Sequence, residues 1–282
     1  MAIIKFDGKP IEKLIETVGK AIGVLYEPTR IKKLANAEAY RYEKIEEAKA
    51  KGLILTANTE NELLFRAQQR LTMQEIDRQI NIDTIVQKSI NSLEETVSET
   101  PVNPDWRSKF FNKAQDISSE ELQEIWAKIL ANEVTTPGNV SLRSLEVLSS
   151  LSKEEASIFA KAAKLSFIYG SIYKLNNKIA IEEFDLTFND ILKLSACGLM
   201  YESTDLNITY DIEDPLIGVA LKFGKVLIFC NKDNAKSITF NQFKLTPMGS
   251  ELANALDIEK NFDYLNAFME KYTKEGYTFK KY

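Results

Sequence analysis

The sequence predicts a mainly α protein with an α+β C-terminal part. The first observation is the helical spacing of apolar residues, together with helix-capping patterns, over roughly the first 170 residues. The second is a series of short runs rich in β-branched and aromatic residues in the last third. These patterns predict a helical N-terminal arm or hairpin over residues 1–100, a compact three-helix middle over 101–169, and a winged-helix-like domain over 170–282.

The composition is that of a soluble globular protein, with 44% apolar and 27% charged residues in a chain of 282. The net charge of −5 gives the surface as a whole no attraction for nucleic acid or anionic lipid, although it is compatible with a local basic patch. No apolar run is long enough for a secretory signal or a membrane span. Cys197 and Cys230 lie in apolar surroundings, so we expect buried free thiols and a cytoplasmic protein.

The absence of histidine restricts the catalytic mechanisms and metal sites that the chain can form by itself. It excludes Ser-His-Asp and Cys-His catalysis and histidine-ligated zinc within one chain. No CxxC pair, phosphate-binding glycine loop or GxSxG turn is found. A magnesium site made of carboxylates alone stays open, although no compact acidic cluster stands out. We therefore predict a protein that is not an enzyme and has no catalytic, cofactor-binding or metal-binding residues.

Residues 9–26 predict an amphipathic helix, because their apolar residues recur at offsets of three, four and seven. These residues are the candidates for an interface between copies of the chain: Ile11, Leu14, Ile15, Val18, Ile22 and Leu25. The same face also suits packing on the rest of the chain, or a position on a membrane surface. Glu12 and Glu16 on the polar face disfavour anionic lipid.

Two further helical segments follow before a predicted linker. Residues 27–52 predict a long charged helix that begins near Pro28 and ends near Gly52. Its expected mate is residues 60–97, where Thr72 and Glu75 have the spacing of a capping box. The pair predicts an extended hairpin or coiled-coil arm of the kind that assembles subunits. Residues 98–106 contain two prolines and are predicted to be the linker between halves.

The stretch from residue 118 to 163 predicts three short helices. Capping patterns are expected at Ser118 with Glu121, at Ser141, and at Ser152 with Glu155. The apolar face of the first of these helices carries a tryptophan, which predicts a core position for Trp126. The polar residues singled out as candidates are Glu133, Arg143 and Glu146. A structural pair across the turn is favoured over catalysis, because no activated nucleophile lies nearby in the sequence.

This stretch resembles the W-x-x-L-L-A-x-E…P…L-x-x-L-x-x-L-x-x-x-E-A-x-x-F pattern of the bacterial abortive-infection alpha (Abi-alpha) proteins and of a related bacterial family of unknown function. The matching positions are Trp126, Ile129, Leu130, Ala131, Glu133, Pro137, Leu145, Leu148, Leu151, Glu155, Ala156 and Phe159. Residues 9–39 are similar to the opening of that group. The resemblance implies a role in bacterial defence against phage, and it brings no catalytic residues with it.

In the C-terminal part the sequence pattern changes from helices alone to helices and strands. A helix is predicted from a cap at Thr187 to a stop at Gly198. Strands are predicted at residues 206–212, 218–223, 225–230 and 237–245. They are followed by a helix in 245–256, and by a last helix and short strand in 262–282. A helix ending in "CGL", then strands, then "LTxxGxxL" resembles a winged-helix domain.

A winged helix invites a DNA-binding interpretation, but the charges disfavour it. The segment expected to act as a recognition helix offers Lys193 alone, opposed by Asp190, whereas phosphate contacts require several cations. A wing could still support loose binding through four lysines, namely Lys222, Lys225, Lys232 and Lys236. We expect instead that any exposed residue among Leu192, Leu199 and Met200 serves a protein partner.

The preferred interpretation is a cytoplasmic, non-enzymatic, oligomeric bacterial protein that acts in phage defence as sensor or effector. Its expected partners are copies of itself and an unidentified protein or phage component. A DNA-binding regulator is the first alternative. A membrane-perturbing effector that uses the N-terminal amphipathic helix is the second.

Overall fold

The computed structural model describes residues 8–23, 47, 59–176, 181–203, 206–214 and 216–282. It confirms the predicted fold class, mainly α with an α+β C-terminal part. The chain divides into two compact units, residues 1–139 and residues 140–282. The predicted middle region, 101–169, therefore spans the boundary between the units. The predicted linker, 98–106, lies inside the first unit, where the backbone N–H of Ser98 donates to the carbonyl of Thr135 at 2.9 Å.

The first unit is helical. Its described helices are α1 (Lys9–Ile22), α2 (Thr59–Ile90), α3 (Pro104–Ala114) and α4 (Glu120–Thr135). Helix α1 has Pro10 in its first turn and ends at Gly23, whose positive φ of 69° is the left-handed conformation that glycine adopts readily. Helix α2 packs along α4 through its C-terminal end, where Ile82, Ile85 and Val86 are buried.

Aromatic rings fill the core of the first unit. The ring of Phe110 lies 4.9 Å from that of Trp106 and 5.0 Å from that of Trp126. Trp126 is fully buried, which confirms its predicted core position. Burying rings of this size removes a large apolar area from water, so this cluster contributes strongly to the stability of the unit.

Two predicted helix caps in the first unit are wrong. Thr72 lies inside the continuous helix α2, because the residues on both sides of it keep helical geometry. Helix α4 begins at Glu120 with Ser119 at its N-cap, and the Ser119 hydroxyl donates to the Glu121 carboxylate rather than capping a backbone N–H. The predicted helix over 27–52, with Pro28 and Gly52, lies outside the described residues except for Glu47.

The described residues of the second unit include five α-helices. They are α5 (Leu142–Ser150), α6 (Lys153–Leu165), α7 (Phe188–Ala196), α8 (Pro247–Ala255) and α9 (Phe262–Lys274). The predicted caps are confirmed. Ser141 accepts from the N–H of Ser144, and Ser152 forms a capping box with Glu155. Thr187 likewise accepts from the backbone N–H of Asp190.

The strands of the second unit form two antiparallel sheets. They are β1 (Ser171–Tyr173), β2 (Leu206–Asp211), β3 (Val219–Phe223), β4 (Val226–Lys232), β5 (Ser237–Lys244) and β6 (Tyr277–Lys281). The first sheet has the order β1-β5-β2, and the second has the order β3-β4-β6. The four predicted strands and the short C-terminal strand are confirmed, whereas β1 was not predicted.

Candidate functional site

The interface candidates on α1 separate into two groups. Ile11, Leu14 and Val18 are buried within the first unit, where α1 packs against α3 and α4. These three residues therefore belong to the core of the unit, not to a free surface. Ile15 and Ile22 are half-buried and remain candidates, while Leu25 lies outside the described residues.

Helix α2 exposes leucines that the sequence analysis did not single out. Leu63, Leu64 and Leu71 are each more than half exposed in the N-terminal half of the helix. Leu64 and Leu71 are seven residues apart and so lie on one side of the helix, as residues of a coiled-coil seam do. This spacing is visible in the sequence, but their exposure is not.

The three polar candidates occupy different surroundings. Glu133 is only 1% exposed, and its carboxylate accepts a hydrogen bond of 2.8 Å from the backbone N–H of Gly138. It thereby holds the turn that follows α4, which is a structural role. Arg143 and Glu146 are exposed on α5.

Helix α7 is the candidate recognition helix, and its outer face is nearly uncharged. Ile191 and Leu194 are buried beneath it, whereas Leu192 is 43% exposed. Leu199 and Met200 are buried, so they are core residues and not a docking surface.

The one lysine of α7 is already paired. The Lys193 ammonium binds the Glu154 carboxylate of α6, and this hydrogen bond raises the pKa of Lys193. Asp190 is occupied by the cap of the same helix. Helix α7 therefore presents an apolar side chain with almost no net charge, which is a poor surface for phosphate.

The "LTxxG" motif fixes the end of α7. The Thr246 hydroxyl donates to the Gly198 carbonyl at 2.6 Å and also caps the N-terminus of α8. A Cβ atom at Gly249 would lie 2.1 Å from the Leu199 carbonyl oxygen, so any larger residue would push the segment after α7 away from α8. The motif therefore positions α7 on α8.

Glu251 of α8 is a charged residue that the sequence analysis missed. Its carboxylate accepts from the Ser141 backbone N–H at 2.9 Å and from the Ser144 hydroxyl at 2.6 Å, at the N-terminus of α5. Burial raises the pKa of Glu251, but these hydrogen bonds outweigh burial, and the pKa lies below its usual range. The arrangement caps a helix, since a carboxylate is favoured beside free backbone N–H groups.

Lys260 was also missed. Its ammonium donates to the carbonyls of Ala163 and Ser166, at 2.7 and 2.8 Å, at the C-terminus of α6. Burial lowers the pKa of Lys260 to about 8, while Asp257 acts in the opposite direction. Lys260 remains protonated at neutral pH and neutralises the negative end of the helix. It lines a cavity of about 320 Å³ together with Lys222, Lys225 and Asp257.

Both cysteines are free, as predicted, but only one of them is buried, whereas both were expected to be. Cys230 is buried, and burial raises its pKa to about 12. Cys197 is half-buried, and burial together with the Glu155 carboxylate raises its pKa to about 11. Such thiols are weak nucleophiles at neutral pH.

The described residues contain neither a cluster of metal ligands nor a membrane-spanning helix. Within that part of the chain, no group of three or more Cys, Asp or Glu side chains is placed to hold a metal ion. No helix among the same residues is both long and apolar enough to cross a membrane.

Comparison with known proteins gives one match. Residues 65–269 match the sequence profile of a family described as "Protein of unknown function (DUF2806)". No curated protein matches the chain, and no solved structure matches it.

Proposed function

Because the chain belongs to the DUF2806 family, whose name assigns no activity, we propose from its own residues that it acts through protein–protein contacts. In this proposal the chain is a non-enzymatic, cytoplasmic bacterial protein that acts in phage defence as sensor or effector. The observation that carries the proposal is the outer face of α7. It exposes Leu192 while Lys193 is neutralised by Glu154, and exposed apolar surface without charge suits a protein partner.

The surroundings of α7 support this use. The chain runs from α6 to β1, then to α7 and β2, and returns in β5 between the other two strands. This order supports the proposed winged helix, in which β3 and β4 would be an insertion between the two strands of the wing. In that arrangement α7 takes the place of the helix that winged-helix proteins present to their targets.

The assignment to phage defence rests on the resemblance to Abi-alpha proteins. Trp126, Ile129, Leu130 and Phe159 of the shared pattern are buried, and Glu155 caps α6. The pattern is therefore one of core and cap residues, which carries the fold rather than a reaction.

Phage plating tests the proposal. Bacteria that express the chain, alone or with its neighbouring genes, are expected to plate phage less efficiently than bacteria without it. Leu192→Asp should restore plating, because it places a charge on the contact face of α7. Lys161→Ala, an exposed position on α6, is the matched control and should leave protection intact. Unchanged plating with the wild-type chain in both settings contradicts a role in defence.

Self-association is the second part of the proposal. Leu64 and Leu71 of α2 are exposed and in register for a helix pair, and Ile15 and Ile22 of α1 are the half-buried alternative. Light scattering should report a smaller species for Leu64→Asp with Leu71→Asp than for the wild type. Ile15→Asp with Ile22→Asp tests α1 in the same way. A monomeric wild-type chain rules out both interfaces.

Separate measurements test the two alternative functions, a DNA-binding regulator and a membrane-perturbing effector. A DNA-binding regulator is favoured by the exposed wing lysines Lys222, Lys225 and Lys236, whereas Lys232 lies over the ring of Tyr277 at 4.5 Å. Submicromolar binding of duplex DNA that weakens with salt would promote the regulator. Co-sedimentation with anionic liposomes would promote the membrane effector, which the burial of Leu14 and Val18 disfavours.

A further inference from the structure

The second sheet turns an aromatic and basic surface to solvent. This outer face is formed by side chains on alternate positions of the three strands and by Tyr282, which directly follows β6. It includes Ala220, Lys222, Leu227, Phe229, Lys280 and Tyr282. Strand pairing sets them in rows, with Phe229 beside Ala220 and Lys280, and Leu227 beside Lys222 and Tyr282. Most of the opposite side of the same strands is buried, namely Val219, Leu221, Phe223, Ile228, Cys230 and Tyr277.

Two rings stand together on this outer face. The centroids of Phe229 and Tyr282 are 5.5 Å apart at an interplanar angle of 87°. Tyr282 is 74% exposed, and Phe229 is half-exposed. Exposed rings on a sheet are the surfaces on which unpaired nucleic-acid bases stack, because every base offers a π face of similar size.

Lys222 and Lys280 on the outer face are free to bind phosphate, and so is Lys225 in the adjacent β3–β4 turn. Within the described residues, no carboxylate lies at ion-pair distance from Lys222, Lys225 or Lys280, in contrast to Lys193. Lys222 and Lys225 also line the cavity at the β3–β4 turn, so the basic surface continues from the sheet into that cavity. Among the residues that line this cavity, three are lysines and one, Asp257, is acidic.

We propose that the outer face of the second sheet binds single-stranded nucleic acid. Bases stack on Phe229 and Tyr282, and the phosphates run along Lys222, Lys225 and Lys280. A duplex keeps its bases paired and stacked, so it offers only its phosphates to this surface. The proposal stands independently of the phage-defence assignment, since it concerns a different surface from the outer face of α7.

Fluorescence anisotropy of the full chain tests it. The probes are labelled thymidine and uridine strands of about twelve nucleotides, within the range of site sizes known for single-strand binding folds, and a duplex of equal length. Single strands should bind more tightly than the duplex at about 50 mM salt. If three phosphates are neutralised, the logarithm of affinity should fall against the logarithm of salt with a slope of about −2.

Two kinds of variant separate stacking from charge. Tyr282→Ala should weaken single-strand binding by at least about fivefold, whereas Tyr282→Phe keeps the ring and should bind as the wild type does. Lys222→Ala with Lys280→Ala should flatten the salt slope by about 1.4. Lys161→Ala with Lys164→Ala removes the same charge from exposed positions on α6 and should change affinity by much less.

Three results would overturn the proposal. The first is no measurable binding of either single strand. The second is equal affinity for single strands and duplex with no loss in Tyr282→Ala, which is attraction by charge alone. The third is equal loss in the two lysine pairs, which is attraction without a site. Melting curves of each variant show that its fold is intact.

Discussion

Both sheets of the second unit turn alternate residues toward one aromatic core. The ring of Phe268 in α9 lies 5.5 Å from Phe240 of the first sheet and 5.7 Å from Phe279 of the second. Phe240 also lies 5.9 Å from Tyr277 of the second sheet. The inner faces are therefore equivalent parts of one core.

The outer faces differ. The first sheet exposes short polar side chains on β2 and β5, among them Asn207, Thr209 and Thr239, and the hydroxyls of the two threonines are 2.9 Å apart. The second sheet exposes aromatic, aliphatic and basic residues instead. The proposed binding of single strands rests on these rings and lysines, for which the described residues on the outer face of the first sheet offer no counterpart.

The largest expected effect is a loss of stability, and it tests whether the inner faces of the two sheets belong to one core. Phe240→Ala in the first sheet should destabilise the unit by about 3–5 kcal/mol, and Ile228→Ala in the second by about 2–5 kcal/mol, because each leaves a cavity in a fully buried position. Urea unfolding monitored by circular dichroism gives both values. A loss in one sheet with almost none in the other would mean that the sheets do not share a core.

The inner faces and helix ends were the part that the sequence could predict. Alternating burial in β3 and β5 and the caps at Ser141, Ser152 and Thr187 follow from residues close together in the chain. The false cap at Thr72 shows the limit of such patterns. The same spacing occurs inside a helix that simply continues.

The remaining features depend on residues far apart in sequence. Strand β1 has three residues, all buried, and pairs with β5 some 70 residues later in the chain, so no local alternation marks it. Glu251 and Lys260 bind groups about 100 residues earlier. The outer face of the second sheet depends on the pairing of β6 with β4. The sequence showed the four wing lysines, but not which of them would be free.

The second expected effect compares how each sheet is anchored to the helices. The buried Tyr264 hydroxyl of α9 donates to the Tyr173 carbonyl of β1 at 2.8 Å. Lys260 lies 5.8 Å from the Phe223 ring of β3 and donates to the end of α6. Tyr264→Phe should cost about 1–3 kcal/mol at both pH 7 and pH 10, because burial raises the pKa of Tyr264 well above its ordinary value.

Lys260→Met should behave differently with pH. The pKa of Lys260 is about 8 in the folded protein, below its ordinary value of 10.5, so between these values the unfolded chain binds more protons. The wild type should therefore gain stability relative to Lys260→Met as the pH rises from 8, by up to about 3 kcal/mol. Urea unfolding at pH 7 and pH 10 measures the difference. A stability difference that stays constant would mean that Lys260 keeps its proton throughout.

The smallest expected effect tests whether the outer faces matter for folding. An exposed aromatic pair contributes about 0.5–1.5 kcal/mol beyond its buried area, and a cross-strand pair of threonines about 0.2–1 kcal/mol. A double-mutant cycle on Phe229 and Tyr282, with alanine at each position, should give a coupling near the lower limit, because Tyr282 is mostly exposed. The same cycle on Thr209 and Thr239 is the control from the first sheet. Similar small coupling energies in the two cycles would show that neither the ring pair nor the threonine pair contributes much to the stability of the fold. A coupling above about 2 kcal/mol for the rings would make them structural and remove the stacking surface from the argument for single-strand binding.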